Sequence, residues 1–409
     1  MVYLAAHGFP EDDGSLPLGG GAAICRQLTR EWHRTKPFAV ELVGPAILDK
    51  HAPCARDLAN FSERQYAVFC GRFESATTAE VLRHDPAQTS VLVNDISEGP
   101  DFRTLGHAGY DMVTIYHVDV VAYVAAIYGR GWIAPETLVR WYERFPAGGM
   151  ARLVFQKQRD SLRYSRAVIV PSQSMREVLL RCYPQTPAGK IRVLPWGSQE
   201  SGYEPGEIDR ETLRLRQDFS VPGDAQVLLT LSRISPEKGQ DLLLESLAGW
   251  EKSPDYPARP LWLFICGEAA YMQGRRFHER LQALAGRLRR TRVIFPGHVT
   301  GLRKLAFFRL ADLYVFPSRH ESYGLTLVEA LRAGLPAVCL DHHGAREVMR
   351  PGCGLLVSRD ELTAALAALL NDSQRLQQMR RAAREHAATL DFSRSAERLA
   401  GILTETGRS

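Results

Sequence analysis

The sequence predicts an α/β protein built from two doubly wound domains, each a mostly parallel sheet with helices on both faces. Three observations carry this reading. Continuously apolar runs of four to seven residues alternate with amphipathic stretches along the C-terminal half, as parallel strands buried on both faces require. A less clean form of the same alternation runs through the N-terminal half. The length of 409 residues suits two domains at roughly 100–200 residues each.

In the N-terminal half, apolar runs predict strands at 2–6, 39–43, 66–70, 91–94, 112–116 and 168–170, with a helix at 21–32. Residues 134–166 read as an irregular insertion, aromatic and basic. The halves meet near 197–206, rich in Gly, Ser, Glu and Pro. The C-terminal half gives strands at 226–232, 261–266, 292–295, 313–316 and 337–340. Between them lie helices at 240–250, 274–290, 302–310 and 325–333. A helical block (362–390) and a last helix (393–406) follow. The expected division is 1–200, 201–390 and a C-terminal helix, 391–409, placed to cross back to the first domain. Two such domains facing each other leave a cleft at the carboxyl ends of their strands, where open α/β sheets bind ligands.

Composition narrows the function. A formal charge of +5 is too weak to argue for nucleic acid, but admits a phosphate-bearing ligand or an anionic membrane. The first ten residues lack a basic n-region, so no signal peptide is expected. The longest apolar stretch, 120–128, falls far short of the ~20 residues that span a bilayer. The seven cysteines are odd in number, with no CxxC pair, and read as buried thiols of a cytoplasmic protein.

Three strand-to-helix loops carry chemistry. Gly19, Gly20 and Gly21 follow the first strand and open a helix, allowing close backbone approach to an anion; the alternative is a plain turn. Ser232-Arg233-Ile234-Ser235-Pro236-Glu237-Lys238-Gly239 sets two cations, Arg233 and Lys238, at a sheet's ligand-binding edge, which suits a diphosphate. The third loop runs from Pro317 through Glu321, Ser322, Tyr323 and Gly324 into a helix bearing Glu329. Its first amides, at Gly324, Leu325 and Thr326, are placed to hold a phosphate. A carboxylate on an otherwise apolar helix needs partners. Vicinal ribose hydroxyls would satisfy Glu329; a salt bridge would do so equally.

Together these residues resemble the retaining nucleotide-sugar glycosyltransferases of family 4, which have the GT-B fold of two Rossmann-like domains. The resemblance rests on the SRISPEKG loop and the E-x7-E pair Glu321 and Glu329, supported by Gly19–Gly21, Val170-Pro171-Ser172, Lys190-Ile191-Arg192-Val193-Leu194-Pro195, Ala333-Gly334-Leu335-Pro336 and the glycine-rich strand after Gly352. It covers the C-terminal half well and the N-terminal half loosely.

The resemblance implies roles. Arg233 and Lys238 would neutralise the diphosphate leaving group, Glu321 would face the donor sugar, and Glu329 would hold the ribose. Ser322, Tyr323 and the amides of Gly324, Leu325 and Thr326 would meet phosphates and sugar. Gly20 would pack on the donor from the first domain, and His117 fits the family's strand-end histidine. Gly267 and Val299, in the Gly267-Glu268 and Gly297-His298-Val299 turns, would border the base. The donor would be a nucleotide sugar, UDP-linked by family frequency. Departures at Trp196-Gly197, at His342-His343-Gly344 and at Arg346, ahead of Glu347, bear on donor identity more than on reaction class.

No DxD motif occurs, so no metal or other cofactor is expected; fixed cations and helix amides would stabilise the departing phosphate. Retention would follow attack on the face of departure, the phosphate oxygen taking the acceptor's proton. Seven basic residues (Arg140, Arg144, Arg152, Lys157, Arg159, Arg163, Arg166), against Glu143 and Asp160, interleave with aromatics across 140–166. That segment fits an anionic membrane at its inner face with a lipid-linked acceptor, a phosphorylated small acceptor, or a solvated surface. Rival readings are a non-catalytic nucleotide-sugar-binding subunit and a nucleotide-sugar epimerase or phosphorylase on the same fold.

Overall fold

The computed structural model describes residues 1–7, 9, 19–48, 61–127, 133–199, 202–269 and 274–405. The chain divides into two compact units, Met1–Trp196 with Phe392–Ser409, and Gly197–Asp391.

The first unit holds a six-stranded parallel sheet in the order β2-β1-β3-β4-β5-β6. Its strands are β1 (Val2–Leu4), β2 (Glu41–Val43), β3 (Ser90–Val93), β4 (Asp111–Ile115), β5 (Ala167–Val170) and β6 (Ile191–Val193). Register is fixed by pairs such as Leu4 with Val93 and Ile115 with Ile169. Strands β1, β3, β4 and β5 are almost wholly buried, so their unbroken apolar runs were legible. β6, inside the Lys190–Pro195 motif, was not foreseen as a strand.

Two expectations fail here. Residues 66–70 are not a strand but part of the helix Glu63–Val81. A capping box at Ser62 and Gln65 starts that helix. Its buried side chains, Phe69, Cys70, Phe73, Thr77 and Val81, recur at helical spacing while Val68 is exposed. The short apolar run was too brief to tell the two periods apart. Nor is 134–166 irregular. It forms Pro135–Arg144, a π-helical turn at Arg152–Gln156 and Lys157–Tyr164, the first opened by proline at its start. The final helix, Phe392–Thr404, packs on Gly20–Thr35. Trp32 Nε1 donates to the Ala396 carbonyl, Ser395 Oγ to the Pro195 carbonyl, and Trp196 stacks on Phe392.

The second unit repeats the plan with strand order β12-β11-β10-β7-β8-β9. Here β7 is Gln226–Leu231, β8 Leu261–Cys266, β9 Thr291–Gly297, β10 Leu313–Phe316, β11 Ala337–Leu340 and β12 Gly354–Val357. All pairs are parallel, and the order reverses between β7 and β10. Open α/β sheets bind ligands at such a reversal, outside the carboxyl ends of the strands. Helices Gln240–Trp250 and Leu325–Arg332 follow β7 and β10. The helix expected at 274–290 stops at Ala285, before Gly286. The block 362–390 is two helices, Leu362–Leu370 and Ser373–Ala388, the second capped by the Asp372 carboxylate accepting from the Arg375 amide. The six described cysteines are buried and form no disulfide; Cys54 lies outside the described residues.

Candidate functional site

In the second unit, three loops lock together at the strand ends. Gly239 has φ 65°, and a Cβ there would lie 1.9 Å from the Pro317 carbonyl oxygen. Gly267 has φ 146°, and its Cβ would lie 1.8 Å from the Ser232 oxygen. Only glycine allows the loops after β7, β8 and β10 to touch this closely. Backbone bonds tie them further: the Ile234 amide donates to Glu268, Arg319 to Glu237, and Gly267 to Gly297. The guanidinium of Arg319 grips Asp241 with two bonds, 2.7 and 3.0 Å.

This frame brings the predicted residues of the β7 and β10 loops together. The Lys238 ammonium, arriving from a short turn at Pro236–Lys238, lies 2.5 Å from Glu321 Oε1. Ser318 Oγ donates to the same oxygen at 3.1 Å. Burial pushes the Glu321 carboxyl up; the Lys238 charge and hydrogen bond, with His342 and Ser318, outweigh it and hold the group below its ordinary value. Gly344 packs against the backbone of Glu321, where a Cβ would lie 2.6 Å from the Glu321 carbonyl oxygen. Arg233 pairs with buried Glu237 at 3.5 Å, and Ser235 Oγ donates to that carboxylate.

Glu329 lies on the helix Leu325–Arg332, whose N-cap is Gly324 with φ 106°. Its Oε1 accepts from Lys304 Nζ at 2.7 Å. Both side chains are about a quarter exposed. Lys304, on the helix Gly301–Leu310, was missed from the sequence because it sits beside Arg303 in an ordinary-looking basic stretch. So the salt-bridge alternative for Glu329 is realised.

Other predicted contacts differ in accessibility. Ser322, Leu325 and Thr326 are half-buried, whereas Tyr323, Gly324 and Val299 are buried. Tyr323 is therefore a wall residue whose phenol burial pushes up. The Tyr314 phenol donates to the Leu231 carbonyl at 3.0 Å and forms a second hydrogen bond with the Thr326 hydroxyl at 2.9 Å. His342 accepts from the Ala345 amide, capping a short helix, and burial pushes its imidazole down to about 4.

The first unit carries its own cluster at the ends of β1, β3 and β4. His117 follows β4, and its Nε2 donates to Asn94 Oδ1 at 3.2 Å. That oxygen also accepts from Tyr3 at 2.8 Å. An amide oxygen only accepts, so Nε2 holds the proton of the neutral ring, and burial keeps the imidazole neutral by lowering its pKa. Gly21 packs against this histidine; a Cβ would lie 3.0 Å from its Cδ2. Gly19 has φ 107° and precedes the helix Gly20–Thr35. Pro17 and Leu18 lie outside the described residues.

The basic face expected across 140–166 is partly spent internally. Arg152 and buried Lys157 both pair with Glu74, Arg166 with Asp111 and Arg159 with Asp160. Among the described residues, one group of potential metal ligands (Glu41, Glu80, His84) occurs, in the first unit and apart from these residues. No described helix is long and apolar enough to cross a membrane.

Comparison with known proteins agrees with this geometry. Residues 211–386 match the family described as glycosyl transferases group 1. The D-inositol 3-phosphate glycosyltransferase of Corynebacterium glutamicum is 30% identical over 246 residues, 58% of this chain and 56% of that protein. The chain thus spans about half the length of the curated relatives it matches. Anabaena Alr3699/HepE, solved with UDP-glucose, superposes with a TM-score of 0.68 at 19% identity over 98% of both chains. WaaG, a glycosyltransferase involved in lipopolysaccharide biosynthesis, gives 0.66 at 19% identity over 99% of both. The fold is GT-B, with two Rossmann-like units. Over residues 211–386 the chain thus resembles the glycosyl transferases group 1, and the relatives and solved structures support a family 4-type glycosyltransferase of this fold.

Proposed function

We propose that the protein is a retaining glycosyltransferase that moves a sugar from a nucleotide-diphosphate sugar, UDP-linked, to an acceptor hydroxyl without a metal. The observation that carries this reading is the juxtaposition of Lys238 with Glu321 at the mouth of the β7 and β10 loops. A lysine paired to a carboxylate at a sheet's carboxyl edge is a pre-placed cation for a leaving diphosphate. Departure builds negative charge on the phosphate and positive charge at the anomeric carbon. Lys238 and Arg233 stabilise the first; the Glu321 carboxylate, held ionised, orients the donor sugar. The ribose sits on Glu329, with the phosphates near the amides of Gly324, Leu325 and Thr326 and the base beside Gly267 and Val299. The acceptor's proton leaves on the departing phosphate oxygen.

The relatives' name, D-inositol 3-phosphate glycosyltransferase, points to a phosphorylated small acceptor; the name of WaaG points to glycolipid assembly. A specific feature favours membrane contact as well. Trp141 and Phe145 are exposed beside Arg140 and Arg144, rimming a recess lined by Leu138, Tyr142 and Phe155. Such a mix of aromatic and basic groups suits a peripheral site at a cytoplasmic anionic leaflet.

The test is a metal-free thermal-shift titration with a panel of nucleotide sugars on wild type and Glu329→Ala. A saturable shift with one nucleotide family, lost in the variant, supports the donor site. A shift equal in both overturns it. Turnover then separates transfer from epimerisation and from binding without chemistry, and the anomeric configuration of the product decides retention.

A further inference from the structure

Glu329 and Glu321 lie in one unit whose proposed ligand carries two phosphates. Two uncompensated carboxylates there would repel that ligand. The structure matches each with an ammonium: Lys238 for Glu321, at 2.5 Å, and Lys304 for Glu329, at 2.7 Å. Arg233 is matched with Glu237 at 3.5 Å. The three cations and three carboxylates balance.

The Lys304 pair is built rather than incidental. The two residues come from different helices, Gly301–Leu310 and Leu325–Arg332. The neighbouring Arg303 turns away to Glu211 and Asp218. Lys304 alone of the pair therefore faces Glu329. An ammonium at hydrogen-bonding distance favours one orientation of the half-buried Glu329 carboxylate.

We propose that Lys304 is a positioning residue for the donor: it fixes the Glu329 carboxylate for a ribose diol and cancels its charge toward the diphosphate. This rests on the reading of Glu329 as the ribose partner. Lys304 acts through Glu329, so its loss should be felt wherever the ribose hydroxyls are felt, whatever sugar the nucleotide carries.

The experiment compares UDP with 2′,3′-dideoxy-UDP by calorimetry on wild type, Lys304→Met and Lys304→Arg. Wild type is expected to prefer UDP by at least about tenfold, as two lost charge-assisted hydrogen bonds imply. Lys304→Met should collapse that preference severalfold, weaken UDP far more than the dideoxy analogue and raise KM more than it lowers kcat. Lys304→Arg should restore much of the preference, which excludes misfolding as the cause. An unchanged UDP to dideoxy ratio in Lys304→Met overturns the proposal even if both ligands bind more weakly. Absence of binding by wild type to any nucleoside diphosphate overturns the donor-site reading itself, and this proposal with it; the two failures are thus distinct.

Discussion

Lys238 Nζ and Glu321 Oε1 meet at 2.5 Å although 83 residues separate them in sequence. One comes from the loop after β7 and the other from the loop after β10, the two strands at which the sheet order reverses. The pair thus reports both the fold and the chemistry proposed for it. Replacing Lys238 by Met removes the cation aimed at the leaving group. Turnover is expected to fall about 10²–10³-fold, by analogy with loss of one oxyanion donor. Lys238→Arg should recover part of it. Steady-state kinetics on the three proteins would decide, and equal kcat in wild type and Lys238→Met would contradict the assignment.

The same pair shapes acid stability. Glu321 has a folded pKa below its ordinary value of 4.5. Its contribution is present above the unfolded value and is lost as pH falls through the folded one. His342 acts in the same direction: its folded pKa is about 4 against 6.5 unfolded. Between those values the unfolded chain binds a proton that the native ring refuses, so stability declines as pH drops from 6.5 toward 4. His342→Asn should flatten the upper part of that decline. Tm measured from pH 7 to 4 on both proteins tests it; parallel curves would speak against the histidine.

The close approach of the loops gives a packing test. Gly239→Ala and Gly267→Ala would each drive a Cβ to within 2 Å of a backbone carbonyl, at 1.9 and 1.8 Å. Neighbouring backbone must shift, and the left-handed conformation adds strain at Gly239. Each substitution should cost at least about 2 kcal/mol, visible in urea unfolding. Gly249→Ala, where a Cβ meets nothing within 4 Å, is the control and should be near neutral or slightly stabilising.

In the first unit, Gly21 and His117 are predicted to be coupled. The added methyl of Gly21→Ala would press on the imidazole at 3.0 Å. Gly21→Ala should therefore destabilise by about 1 kcal/mol in wild type and by clearly less in His117→Ala. Additive effects in the four-protein cycle would show that the two do not touch in solution.

Membrane contact has its own expected outcome. Trp141→Ser with Phe145→Ser should abolish sedimentation with vesicles of anionic lipid while leaving nucleotide binding intact. Arg140→Gln with Arg144→Gln should make any residual binding independent of salt. Wild type that ignores anionic vesicles would refute the contact.

Three strands of the second unit were legible because each is a buried, unbroken apolar run; 261–266, 313–316 and 337–340 match the observed strands residue for residue. Residues 66–70 misled because five apolar residues fit either period, and only the packing of Phe69 on Phe73 in the helix Glu63–Val81 decides between them. The SRISPEKG loop and the spacing of Glu321 from Glu329 pointed, without coordinates, to the resemblance found over residues 211–386 and to the β7 and β10 loops.

What the sequence could not contain was partnership. That Lys157 would be buried against Glu74 instead of joining a basic surface, and that Lys304 would reach Glu329, follow from helices distant in the chain. Sequence by itself determined the repeating strand–helix plan and the loops that carry charge, because periodicity and loop chemistry are local. Tertiary structure alone decided which charges answer one another. Ion pairing depends on separations of a few ångströms between residues that chain order leaves unrelated.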